Sequence, residues 1–172
     1  MNFATISRHL SWNGKSLIGG VFRSAAFGAL TAALLVLLSS LLFAVMGRDN
    51  VGKLAGAGVF ERGWIAACFA AVIWAPMFET LIGQLVPIGL LTWFGVRSAI
   101  AVLSSAAVFS AGHVVSGGGI AQGVVTFGAG LLFATVFAAN AGSGLGRASL
   151  FTATAHATNN ALLILLSFGL GF

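Results

Sequence analysis

Residues Ser24 to Met46 read SAAFGALTAALLVLLSSLLFAVM, 23 consecutive residues without a charge. As an α-helix this run covers about 35 Å, enough for the roughly 30 Å hydrocarbon core of a bilayer. It is too long for the apolar core of a typical cleaved signal peptide, so it is expected to stay as an anchor. The same texture recurs along the chain. Of 172 residues, 59% are hydrophobic and 6% are charged, against about 25% charged in a soluble domain. Such a surface excludes a soluble enzyme or DNA-binding module. The net charge of +5 does not imply nucleic acid, because the basic residues stand singly between apolar runs and not on one clustered face. The expected fold class is all-α: one polytopic transmembrane helix bundle of about five spanning helices, with the lipid bilayer as its first partner.

The organisation follows from the breaks. Residues 1–23 carry Arg8, His9, Trp12, Lys15 and Arg23 and read as a basic segment on the membrane surface; residues 24–172 form the transmembrane domain. Helix one is expected over Ser24–Met46. A loop from Gly47 to Arg62 holds Arg48, Asp49, Lys53, Glu61 and Arg62. Helix two runs Gly63–Val86, kinked at Pro76 and ended by Pro87. Residues Ile88–Arg97 connect it to helix three, Ser98–Val115, which the run Gly117-Gly118-Gly119 breaks. Helix four is Ile120–Asn140, and helix five is Ala148–Gly169 after a turn at Gly142–Gly146. Trp12, Trp64 and Trp93 fall near helix ends, as interfacial aromatics do, and Trp74 does not. The 24 glycines suit close helix packing. Cys68 is the single cysteine and reads as a small buried hydrophobe. With the N-terminus in the cytoplasm, five Lys/Arg lie inside against three outside, which favours that orientation. The expected location is integral to a membrane, the cytoplasmic membrane of a bacterium.

Ten of the eleven charges lie in tails, loops or helix ends. The eleventh, Glu79, is deep in helix two, where a carboxylate costs about 2.5–3.5 kcal/mol or more. His113 and His156 also lie inside expected spans. A lone membrane histidine is more often a packing residue than a catalyst, but here each polar residue has a patterned neighbourhood. His156 and Asn160 are spaced i, i+4 and share a face. Phe109 lies one turn from His113 and can wall a pocket beside it. Thr80 and Gln84 are a further i, i+4 pair, and Pro76 frees a carbonyl just before Glu79.

Together these residues resemble the CPBP family of intramembrane proteases, also called the Abi or CAAX-protease-like family. Its pattern is EExxxR on one helix, FxxxH on a later one and HxxxN on the last. Phe109–His113 fits the second motif and His156–Asn160 the third. The segment Glu79 to Gln84 fits the first in part: the first Glu is kept, the second is Thr80 and the Arg is Gln84. The similarity covers about residues 70–168. The exchanged pair can still hydrogen-bond in neutral form, which fits a coherent variant or a member without activity.

The resemblance implies an endopeptidase cutting a membrane-associated protein or peptide, from a site that opens toward the cytosol. It implies Glu79 as the general base that activates water, His113 as the residue that positions that water, and His156 with Asn160 as oxyanion donors. Donors aimed at a developing oxyanion in a dry site are usually the largest catalytic contribution. Thr80, Gln84 and Phe109 would support them. Glu79, His113 and His156, with Asn160 as a possible fourth ligand, also make an N/O donor set for Zn²⁺ completed by water.

Two other classes stay open. A non-catalytic member would bind a partner in the same cavity as an immunity or scaffold protein. A transporter would use the three ionisable groups as a relay, although no inverted repeat accompanies them. A rhomboid-type serine protease fits less, since Ser116 has no Gly-x-Ser-Gly context. The boundaries leave one discrepancy. Glu79 lies about eight residues (~12 Å) from the end of helix two, with His156 at a similar depth, and His113 about 15 residues (~23 Å) into helix three.

Overall fold

The computed structural model describes residues 16–47 and 63–169. The cations Arg8 and Lys15, with His9 and Trp12, lie outside the described residues, as does the loop that holds Arg48, Asp49, Lys53, Glu61 and Arg62. Within the described residues the fold is all-α, with five long helices: α1 (Leu17–Met46), α2 (Trp64–Trp93), α3 (Ser98–Val115), α4 (Ile120–Asn140) and α5 (Leu145–Gly169). The first four are long and apolar enough to cross a membrane. The fifth has a spanning length, but Thr152, Thr154, His156, Thr158, Asn159 and Asn160 interrupt its apolar run.

Three boundaries differ from expectation. Helix α5 begins at Leu145, inside the turn assigned to Gly142–Gly146, and two others differ more. Helix α1 begins at Leu17 and takes in residues assigned to the basic segment. Ser16 caps it, its hydroxyl accepting the Gly19 N–H at 3.1 Å. Helix α2 does not end at Pro87 but continues to Trp93. It absorbs both prolines by widening into a π-turn before each, Ala70–Trp74 and Leu81–Leu85, closed by Ala75 N–H to Ala70 O and Val86 N–H to Leu81 O. The longer helix removes the depth discrepancy for two residues. Glu79 lies 14 residues before Trp93 and His113 lies 15 after Ser98, so the short turn between α2 and α3 brings them level at about 21–23 Å.

Helix α4 is the centre, with Phe133, Ala134, Val136 and Phe137 fully buried. It packs on α3 and α5, and more lightly on α1; α1 also lies along α5, and α2 packs on α3 and α5. Close approach relies on missing side chains. A Cβ on Gly28 would sit 2.2 Å from the Ala155 carbonyl oxygen, and one on Gly130 would sit 3.0 Å from Ala106 Cα. Successive helices alternate in direction, so Arg23, the α2–α3 turn with Arg97 and the α4–α5 turn with Arg147 all fall at one end. Arg147 there lies over the Phe151 ring at 5.7 Å. Cys68 is half-buried with a free thiol.

Candidate active site

Three helices bring the interior ionisable groups to one point. Glu79 of α2 places Oε2 3.8 Å from His113 Nε2 of α3 and 3.6 Å from His156 Nε2 of α5. These separations exceed a hydrogen bond but lie within direct electrostatic reach. The side chains differ in access: 33% exposed for Glu79, 22% for His113 and 4% for His156.

The aromatic frame explains why the imidazoles point inward. His156 stacks on Phe133 at 4.6 Å with 25° between planes, and meets Phe109 edge-on at 5.5 Å. Phe109 also packs on His113 at 4.8 Å and on Phe133 at 6.1 Å. Gly83 makes room for it, since a Cβ there would sit 3.0 Å from Phe109 Cδ2. Phe109 therefore walls both histidines, more than the single neighbour its spacing implied. Phe133 was absent from the sequence-based set, because nothing in a helix of ordinary apolar residues distinguishes it.

His113 Nδ1 contacts the Phe109 carbonyl at 3.1 Å. A carbonyl only accepts, so this nitrogen carries the proton. In that tautomer of the uncharged ring Nε2 is an acceptor, and it faces a carboxylate oxygen. A proton or a cation between them reconciles two acceptors at that distance.

Asn160 sits one turn beyond His156 and bridges helices. Its Nδ2 donates to the Ala71 carbonyl at 2.8 Å, and its Oδ1 accepts from Asn159 Nδ2 at 3.0 Å. The Ala71 carbonyl is available because the π-turn gives the Ala75 N–H to Ala70, and Pro76 has none to offer. Ser105 of α3 does the same on the other side of Glu79: its hydroxyl donates to the carbonyl of Gly83, whose α-helical donor would be the nitrogen of Pro87. Thus α2 is pinned to α5 and α3 on either side of its carboxylate. Thr80 and Gln84 are buried next to the site, and neither hydrogen-bonds the other.

For a metal, the donor types suit Zn²⁺, and the His113–Phe109 contact is the kind of outer bond that orients a ligating imidazole. Tetrahedral zinc ligands at about 2.0–2.1 Å stand about 3.3 Å apart, so the carboxylate would have to close in by a few tenths of an ångström. Among the described residues no group of three or more His, Cys, Asp and Glu closes on one ion as it stands.

Beside the cluster, a shallow apolar groove runs between α2 and α5. Pro76 and Met77 form one wall, and Ala153, Thr154 and Ala157 form the other. Comparison of the chain with family models, curated proteins and solved structures finds no match.

Proposed function

We propose that this protein is an intramembrane endopeptidase of the CPBP type, hydrolysing a peptide bond of a membrane-associated protein or peptide. The observation that carries the reading is the convergence of Glu79, His113 and His156 from three separate helices. A carboxylate between two imidazoles has the composition of a water-activating base with positioning and electrophilic partners. In this reading Glu79 removes a proton from the attacking water. His113, held through Phe109, positions that water. His156, fixed between two phenyl rings, faces the oxyanion. Asn160 has a second N–H beyond the one donated to Ala71, and this is its contribution to the oxyanion. The groove between α2 and α5 offers a lateral approach from the lipid for an extended segment.

The same donors support Zn²⁺ as a cofactor, held by Glu79, His113 and His156. A bound metal would supply an acidified water. Arg23, Arg97 and Arg147 at one end support a cytoplasmic N-terminus and a position in the cytoplasmic membrane.

The test compares membrane peptides from cells expressing wild type and Glu79→Gln at equal protein levels. An uncut substrate should accumulate only in the variant, by at least 100-fold on the scale of general-base loss. Unchanged cleavage eliminates Glu79 as base. Chelation with Zn²⁺ add-back, read on the same substrate, decides the metal. A second reading, a non-catalytic binding protein, is favoured by Thr80 and Gln84, which stand where the family pattern carries an ion pair. It predicts a phenotype that survives Glu79→Gln.

A further inference from the structure

Thr80 and Gln84 lie one turn apart on α2 and share a face. They are 1% and 0% exposed, and Thr152 of α5 is 0% exposed. Thr80 Oγ1, Gln84 Oε1, Gln84 Nε2 and Thr152 Oγ1 all lack a hydrogen-bond partner among the described residues. The two threonines are exceptions among the described threonines. The other six described threonines, at 31, 92, 126, 135, 154 and 158, each donate to the carbonyl one turn back. Thr80 and Thr152 turn their hydroxyls elsewhere. Four stranded polar atoms in a membrane interior are costly, so something has to meet them.

Two cross-links fix how α2 faces α5: Asn160 to Ala71, and His156 to Glu79. The helices run antiparallel, and these contacts carry Thr152 to the level of residues 79–83. Thr152 also lies one turn from His156 on the same face, and His156 Nδ1 is a further buried atom without a partner.

We infer that Thr80, Gln84 and Thr152 form a closed water-binding site behind the Glu79–His156 pair. A buried water takes about three hydrogen bonds. Two hydroxyls, an amide carbonyl and an amide NH₂ supply both donors and acceptors for one or two such waters. The imidazole Nδ1 of His156 extends the site toward the carboxylate. A hydrolytic reaction within lipid needs water retained close to its base. That use of the site rests on the protease reading, but the water site itself does not.

The test is a double-mutant cycle on the full chain in detergent, with Thr152→Val and Gln84→Met, read as thermal stability. Each single change is expected to lower Tm by about 2–6 °C. The double change should lose clearly less than the two together, because both break the same water contacts. Thr152→Ser, which keeps the hydroxyl, should melt like wild type. An experimental map that resolves water should show density within hydrogen-bond distance of all three side chains. The inference is overturned by apolar variants that are neutral or stabilising, by additive losses, or by a map with Gln84 bonded directly to the threonine hydroxyls. If Thr152→Val does not fold, Thr152→Ser and the map decide. Cleavage is not read in any arm, so an inactive protein leaves the result standing.

Discussion

Glu79 is tolerable in this membrane because two imidazoles face its Oε2 and offset the burial of that oxygen. The two histidines hold their places differently, and this separates the effects of losing them. His156 is packed between Phe133 and Phe109, whereas His113 is a fifth exposed and has Phe109 as its ring neighbour. His156→Ala should therefore cost about 2–4 kcal/mol of stability, as truncating a packed ring does, in addition to abolishing cleavage. His113→Ala should abolish cleavage with little change in Tm. Melting curves beside a cleavage assay check both; equal Tm losses would mean the aromatic frame does not carry His156. At this scale the site was largely legible. An ionisable residue inside an apolar span is conspicuous, and Glu79, His113 and His156 each stood out for that reason. Phe133 did not, because one phenylalanine among 15 carries no signal.

Among the elements, α2 departs most from its sequence pattern. A proline removes one donor and usually ends or bends a helix, so Pro87 read as a terminus. The helix instead adds an extra residue before each proline, and a side chain from a neighbouring helix takes the freed carbonyl. Those partners, Ser105 and Asn160, are 22 and 89 residues away, and no local pattern encodes such distances. The Ser105 bond has a measurable value. Ser105→Ala strands the Gly83 carbonyl and should cost about 1 kcal/mol, between the ~0.6 average for interhelical membrane bonds and the ~1–3 of a stranded buried group. It should also slow cleavage, since Glu79 sits one turn from that carbonyl. A melting curve and a rate constant test this; a change in neither would show that the contact does not hold α2. The other boundaries were closer. Val115, Ile120 and Asn140 are helix ends as expected, because the glycine run and the Gly-Ser turn leave little choice there.

Across the whole molecule, alternation of the helices sets the three described basic ends on one side and the α3–α4 turn on the other. His113 lies two residues from the end of α3, so the site's nearest aqueous edge is that turn. The charge bias and the family resemblance then point opposite ways: a cytoplasmic N-terminus turns this edge outward, and a cytosolic opening turns it inward. With the N-terminus inside, the Ser116→Cys variant in a Cys68→Ala background should react with an impermeant maleimide added to intact cells. Labelling only after permeabilisation would reverse the orientation and open the site to the cytoplasm. The order of the helices also dictates how the site is born. Glu79 leaves the ribosome 77 residues before His156, which at about 5–20 residues per second is roughly 4–15 s. During that interval the carboxylate's most buried partner does not yet exist. The nascent α2 must wait in the insertion machinery, or near the water at its mouth, until α5 arrives to complete its surroundings.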